Sequence, residues 1–333
     1  MFKVSPTPTP MPRTVELMLC TLVAEPFDDA DWIFEPKLDG LRVLCRFDGK
    51  RVTLISRNGK SQDFQFPDVV AALTKSLKKP VLLDGEIVCL DARGRSSFRA
   101  LQQRFHLTDA GVVATRAAAF PAYLYIFDVL YFDRFDVTGL ELRERKSVLK
   151  RALKWSDRIR WTEATSQKGI ALLRRTCREA GEGIVGKRLD SRYIGGRSEG
   201  WVKIKCAMRQ EFVIGGFTDP QRSRVGLGAL LVGYYDDVGR FHYAGKVGTG
   251  FNAELLLDLR KRLERIEQDA SPFDAGKPPH GDHVHWVKPR LVGEFGFAEW
   301  TQNDLLRQPR FEGLRMDKRP TQVRRERAKM VAV

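Results

Sequence analysis

Two stretches of this chain, Val81 to Leu90 and Ala122 to Phe127, are apolar almost without interruption, and that narrows the folds open to it. Such runs predict strands buried on both faces, unlike the strict alternation of a strand with one face in water. Buried strands need cover, and the chain supplies it. Pro67 to Leu77 has Pro in its first turn and Val69, Val70, Leu73 and Leu77 on one side, which predicts a helix. Leu142 to Leu153 and Ile170 to Ala180 also have helical spacing, with Gly181 expected as the C′ residue that ends the second. Leu41 to Phe47 and Val52 to Ser56, joined through Asp48-Gly49, predict a hairpin, and Trp201 to Lys205 alternates.

Beyond Cys206 the texture becomes strand-rich. Glu211 to Phe217, Leu227 to Tyr235, Phe241 to Lys246, His283 to Lys288 and Leu291 to Trp300 are expected strands. One helix interrupts them, with Leu255, Leu256, Leu259, Leu263 and Ile266 on a single face. Short strands around one helix suit a small barrel of the OB type. Phe273 to Gly281, flanked by Pro272, Pro278 and Pro279, reads as a loop. A chain of 333 residues can bury two cores. The expected division is a flexible tail over 1–16, a first domain over 17–205, a second over 206–320 and a frayed basic tail over 321–333.

No apolar run approaches the ~20 residues needed to cross a bilayer, and the Pro- and Thr-rich start lacks the apolar core of a signal peptide. Cys20, Cys45, Cys89, Cys177 and Cys206 are scattered and form no Cys-x-x-Cys. Buried thiols in a reducing cytoplasm are therefore expected, in place of a disulfide framework or a zinc site. His280, His283 and His285 have a spacing that zinc accepts, but they lie where a loop enters a strand with no thiol near, so solvated or packed histidines are expected. The charge is the first functional clue: 57 Lys and Arg against 42 Asp and Glu leave +15. A basic excess spread through a folded chain attracts polyanions, nucleic acid above all, although solubility alone is a competing explanation.

Glu35-Pro36-Lys37-Leu38-Asp39-Gly40-Leu41-Arg42 places a lysine at the boundary of an element, with Asp39-Gly40 turning the chain behind it. Alone, that is a surface lysine beside a turn. Its ordered company is more specific: Ser56-Arg57-Asn58-Gly59, Leu83-Asp84-Gly85-Glu86-Ile87, Tyr125-Ile126-Phe127-Asp128, Glu182-Gly183-Ile184-Val185-Gly186-Lys187, Trp201-Val202-Lys203-Ile204-Lys205, and Arg310 to Lys318. With these motifs in this order the chain resembles the covalent nucleotidyltransferases: ATP-dependent DNA ligases, RNA ligases and mRNA capping enzymes. The resemblance runs from about Leu17 to Pro320 and is closest to the ligase domain of bacterial ligase D. Ser97-Phe98-x-x-Leu101-Gln102-x-Arg104, Gly245 to Phe251, and Leu306-Arg307-x-Pro309-Arg310-Phe311 carry that closer likeness. No polymerase or phosphoesterase module and no extra N-terminal DNA-binding domain accompany it, as expected for a stand-alone or partner-dependent ligase.

The resemblance implies an α+β adenylyltransferase domain of antiparallel sheets with helices, followed by a β-barrel OB-fold domain. It implies ATP as AMP donor, Mg²⁺ or Mn²⁺, and nicked duplex DNA as substrate. A Ku-like end-binding partner, a monomer and a bacterial cytoplasm go with it. Lys37 is the implied nucleophile. Physically, a lysine of ordinary pKa costs about 4.6 kcal/mol to deprotonate at pH 7, so burial and nearby cations must assist. Lys203 and Lys205 lie two apart on a strand and share a face, which offers two charges to a phosphate or, equally by spacing, forms a solvated face. Glu86, a carboxylate in an apolar strand, needs a partner or a task; by resemblance it touches ribose or metal, and Glu182 is the metal-binding carboxylate. Phe127 resembles the ring that stacks on adenine, against the reading of a core phenylalanine. Glu35 resembles the residue that fixes the adenine amino group. Arg42 and Arg57 suit bidentate phosphate binding, and Lys187 could serve the same anions. Arg315, Asp317 and Lys318 resemble the set that orients the pyrophosphate leaving group. An RNA ligase, a capping-type guanylyltransferase and a catalytically inactive basic DNA-binding module are the alternatives.

Overall fold

The computed structural model describes residues 7–206, 208–221 and 224–326, and they fall into two compact units that meet in sequence just after Cys206. The first begins with strand β1 (Met18–Leu22), β2 (Trp32–Pro36) and the hairpin β3 (Leu41–Phe47) and β4 (Val52–Ser56). Asp48 and Gly49 make its turn, where Gly49 takes φ +99°. Helix α1 (Pro67–Ser76) buries Val69 and Leu73 and leads to β5 (Val81–Cys89). Two helices that periodicity did not reveal follow, α2 (Phe98–Gln102) and α3 (Ala110–Ala119). Both are short, and each opens on a side-chain cap: Ser97 accepts from the Ala100 N–H, Asp109 from the Val112 N–H.

Strand β6 (Ala122–Phe132) runs five residues past its expected end, so Phe127 sits in mid-strand. After β7 (Phe135–Asp136) come α4 (Leu142–Ala152), β8 (Ile159–Trp161), β9 (Thr165–Ser166), α5 (Gly169–Arg178), β10 (Gly183–Arg188) and β11 (Gly196–Lys205). Helix α5 ends differently from expectation: Ala180 takes the left-handed conformation at φ +56°, and the Gly181 N–H then reaches back to the Thr176 carbonyl at 2.8 Å. Glycine is needed there for space, because a Cβ would come within 2.5 Å of the Thr176 methyl.

These strands make two sheets, ordered β1-β11-β10-β2-β9 and β4-β3-β5-β6-β7, with β8 beside β6. Pairing is antiparallel except for β1 with β11 and β6 with β8. Val202 and Ile204 pack with Trp32, Phe34, Leu172 and Ile184 under α5, while Leu44, Leu82, Leu130 and Trp201 form a second core cluster. Tyr193 fastens one sheet to the other: its hydroxyl accepts from the Met18 N–H at 3.1 Å and donates to Asp84 at 2.7 Å. The N-terminal segment, expected to be a loose tail, is tied down from Thr9 onward, whose carbonyl accepts from the Tyr131 hydroxyl at 2.9 Å.

The cysteines correct the sequence reading. Cys177 in the last turn of α5 and Cys206 after β11 form a disulfide, with Cα atoms 5.2 Å apart. Their separation in sequence hid this, since α5 packs against β10 and the Cys206 N–H donates to the Glu182 carbonyl. Cys20, Cys45 and Cys89 are free.

The second unit is a curled antiparallel sheet consistent with an OB-fold, built from β12 (Met208–Thr218), β13 (Leu230–Tyr235), β14 (Phe241–Val247), α6 (Ala253–Glu264), β15 (Glu267–Gln268), β16 (Val284–Phe297) and β17 (Arg310–Arg315). Strand order is β14-β13-β12-β16-β15, β17 lies on β16, and a bridge from Thr249 to Arg310 draws the two margins of the sheet together. Two expected strands, His283 to Lys288 and Leu291 to Trp300, are one. Residues 287–290 bulge opposite Gly215, which absorbs Pro289, a residue with no N–H for the ladder. Leu256, Leu259 and Leu263 of α6 join the core with Phe212, Phe217, Phe241 and Phe295. Of the expected C-terminal tail, Val323 is fully buried and its carbonyl accepts from the Tyr235 N–H, whereas 327–333 lie outside the described residues. The His285 ring stacks on Phe217 at 4.7 Å between Glu267 (2.6 Å) and Asp219 (3.0 Å). Partial burial works against its charged form, but those two carboxylates raise its pKa above the ordinary value. Among the described residues no group of three or more His, Cys, Asp or Glu is arranged to hold a metal, and no helix is long and apolar enough to cross a membrane.

Candidate active site

The functional side chains of the first unit collect where the two sheets face each other. Antiparallel partners share a face, so the pairings Val185 with Lys203, Lys187 with Trp201, and Val185 with Glu35 put Glu35, Lys187, Trp201, Lys203 and Lys205 on one side of one sheet. Their strand neighbours Val202 and Ile204 point into the core. Lys37 continues β2 past Pro36, its N–H donating to the Gly183 carbonyl at 2.8 Å. Gly183 takes φ +148°, and a Cβ there would sit 2.1 Å from the Ile204 carbonyl oxygen. The glycine after Glu182 is thus required by backbone contact. Gly40 has the same kind of reason: its Cβ would lie 2.3 Å from the Ile87 carbonyl oxygen.

The Lys37 Nζ lies 2.6 Å from Glu182 Oε1. Burial alone would lower the pKa of this ammonium, but Glu182 against it, with Glu86 and Asp39 nearby, raises it above the ordinary lysine value. That reverses the expectation from sequence, in which Lys37 is poised to lose its proton. In this arrangement the proton is held.

Across from Lys37, Arg42 of β3 pairs in register with Glu86 of β5. Its guanidinium, assigned to phosphate from sequence, makes a bidentate pair with Asp84 (3.0 and 2.7 Å) and stands over the Phe127 and Trp201 rings at 5.5 and 5.9 Å. Phe127 is half-buried, edge-on to Trp201 at 6.0 Å, and packs against the core cluster of Leu44, Leu82, Leu130 and Trp201. Lys187, 2% exposed, also departs from its assignment to phosphate: its ammonium lies 4.3 Å from the Phe127 ring and 4.2 Å from Trp201, and bonds Glu35 at 2.7 Å. Glu35 accepts a second ammonium, Lys146 of α4, on its other oxygen. Beside Lys146, Arg145 is fully buried against Asp128. Neither had a signal in the sequence, because α4 reads only as a helix with a charged outer side and Lys146 meets Glu35 across 111 positions.

Arg57 stands in the turn after β4. Arg315, Asp317 and Lys318 stand in the second unit. There Arg315 bonds Asp317 (2.9 and 2.8 Å) and faces Glu294, and Lys318 bonds Glu211 at 3.1 Å. This set is largely buried, not an exposed cluster. A divalent cation that keeps most of its waters and bridges phosphates needs only one or two carboxylates. Glu182 and Glu86, both close enough to Lys37 to raise its pKa, fit that need.

Residues 18–205 match the family model described as the ATP dependent DNA ligase domain, and residues 223–318 the ATP dependent DNA ligase C terminal region. The chain is 38% identical over 326 residues to the multifunctional non-homologous end joining protein LigD of Pseudomonas aeruginosa, covering 96% of this chain and 37% of that protein. To the LigD of Mycobacterium tuberculosis it is 35% identical over 300 residues, 89% of this chain and 38% of the other. The chain therefore spans well under half the length of these relatives. Among solved structures, mycobacterial DNA ligase D complexed with ATP and MES superposes with a TM-score of 0.65 at 32% identity, over 93% of this chain and 98% of that one.

Proposed function

The chain belongs to the ATP-dependent DNA ligases, and from that membership we propose that it seals nicks bearing a 5′-phosphate and a 3′-hydroxyl in duplex DNA, with AMP carried on Lys37. The observation that supports this most is the Lys37 ammonium on Glu182, beside the sheet face that carries Lys203 and Lys205. In the first step the Lys37 Nζ, having lost its proton, attacks the α-phosphorus of ATP, forming a P–N bond as the bond to pyrophosphate breaks. Lys203 and Lys205 stabilise the charge that gathers on the α-phosphate. Phe127 stacks on the adenine, Glu35 accepts from its amino group, and Arg42, held by Asp84, backs the Phe127 ring. Arg57, Arg315, Asp317 and Lys318 serve the phosphates, the last three in the first step alone. The 5′-phosphate of the nick then takes AMP from Lys37, and the 3′-hydroxyl displaces it.

Glu182 and Glu86 would hold a Mg²⁺ or Mn²⁺ ion, which would supply charge neutralisation at the phosphates. The likeness to proteins described as end-joining LigD supports a role in rejoining DNA breaks; a bacterial cytoplasm, a monomer and a Ku-like end-binding partner belong to the same proposal. The +15 charge supports contact with DNA phosphates.

Incubation with labelled ATP or GTP tests the reading. Covalent AMP on the wild type, none on Lys37→Ala, and sealing of a nicked duplex are the expected results. Label persisting on Lys37→Ala would remove the nucleophile. Covalent GMP would make the chain a guanylyltransferase, and no label at all an inactive DNA-binding module.

A further inference from the structure

Glu35 is 2% exposed, and each of its carboxylate oxygens accepts from a different ammonium: Oε2 from Lys187 at 2.7 Å, Oε1 from Lys146. The two lysines reach it from different elements. Lys187 comes from the neighbouring strand β10 and lies under Phe127 and Trp201. Lys146 comes from α4, with its ammonium 4.9 Å from the Trp161 ring. The carboxylate thus lies among ring-bound ammonium groups, two residues ahead of Lys37 on the same strand. Burial lowers the pKa of Lys146, with Lys187 adding to the effect and Glu35 opposing it, so the chain keeps this charge in the interior at a cost.

The geometry points to Lys146 as a positioning residue that sets which purine the enzyme takes. This rests on the reading above in which Glu35 meets the adenine that Phe127 stacks on. With an ammonium on each oxygen, Glu35 meets a ligand only as an acceptor of hydrogen bonds, with its direction fixed from two sides. Adenine offers an amino group to such an acceptor. Guanine carries a carbonyl oxygen at the same ring position, which would leave two acceptors facing each other in a buried site. Lys146 acts through Glu35 and need not touch the nucleotide.

The test is labelling of the full chain with ATP and with GTP, on wild type, Lys146→Met and Lys146→Arg, with KM and maximal rate for each nucleotide. Lys146→Met should narrow the preference for ATP over GTP by about tenfold, the usual effect of loosening one buried polar partner. The change should appear in KM, and Lys146→Arg should restore most of the preference. Equal loss with both nucleotides, at an unchanged ratio, would reduce Lys146 to packing and overturn the proposal. A urea unfolding midpoint close to that of the wild type reports that the variant is folded. If Lys146→Met does not fold, Glu35→Gln carries the same test, because its amide can offer an N–H to the guanine oxygen. An unchanged ratio there overturns the proposal as well. Failure of the broader reading looks different, since then the wild type itself takes no label on Lys37.

Discussion

Arg145 and Lys146 are adjacent on α4, yet they should fail in different ways when replaced. Arg145 and Asp128 are both at 0% side-chain exposure. The guanidinium donates twice to the carboxylate, at 2.9 Å each, and twice more to the Leu140 and Ser191 carbonyls at 2.7 and 2.8 Å. Methionine in its place fills much of the volume but leaves Asp128 with only the Val129 N–H at 2.8 Å among its hydrogen bonds. An uncompensated buried charge costs about 3–5 kcal/mol, and the Leu140 carbonyl, left without its donor, adds about 1 kcal/mol, whereas the Ser191 carbonyl keeps the Leu142 N–H at 2.9 Å. Roughly 4–6 kcal/mol is a large share of a domain's ~5–15 kcal/mol. At a urea slope of about 2 kcal/mol per molar, the unfolding midpoint of the first unit should fall by roughly 2–3 M. The double variant Asp128→Asn, Arg145→Met removes the stranded charge and should cost less than Arg145→Met alone. A loss under about 1 kcal/mol for the single variant, or a double variant that sums the two singles, would refute the account of the pair.

Two further predictions concern charge and covalent linkage. The Lys37 pKa is raised by Glu182, Glu86 and Asp39 against the effect of burial, so the rate of Lys37 adenylation should climb with pH across the neutral and mildly alkaline range; Glu182→Gln should move the midpoint of that profile to lower pH whatever it does to the maximal rate, and a profile flat in pH would show that proton loss does not limit the step. By linkage the stabilisation that goes with this raised pKa is fully present below the unfolded lysine value near 10.4 and is lost only as pH rises through the higher folded value, so stability measured between pH 6 and 9 should show no pH dependence from Lys37. The Cys177–Cys206 bridge closes a separation of 29 residues, and reduction by a dithiol should lower stability by about 3–4 kcal/mol on the chain-entropy account; denaturation curves that coincide with and without reductant would mean that the bridge constrains nothing.

Much of the fold was legible because strands and helices announce themselves by period. The hairpin Leu41–Phe47 and Val52–Ser56, helix α1 and the alternating β11 stand where the pattern puts them. Periodicity failed where elements are short or interrupted: α2 and α3 rest on caps at Ser97 and Asp109, and β16 runs through Pro289 by means of a bulge. The motifs pointed to the candidate site, since Lys37, Glu86, Glu182, Lys203 and Lys205 lie on strands or at their ends, which can be read locally. Motifs could not show what each charge is paired with. Arg42 spends its fork on Asp84, and Lys187 lies buried against Glu35, because tertiary packing brings together carboxylates and cations far apart in sequence. The disulfide was hidden for the same reason.

The pairing of Lys37 with Glu182 joins fold and reaction. An amine whose pKa is raised by a carboxylate is a poor nucleophile, and a carboxylate bound to an ammonium is a poor ligand for a cation. Each group is quiet because of the other. The glycine between Glu182 and Ile184 keeps the two within 2.6 Å, since its φ of +148° lets β10 begin where the Lys37 N–H can reach its carbonyl. On the proposed reaction the Lys37 nitrogen must leave Glu182 and lose its proton before it attacks, and the raised pKa keeps it protonated until then. The five-stranded sheet makes this possible by ending β2, β10 and β11 at one place, with Lys37, Glu182 and Lys205 at those ends.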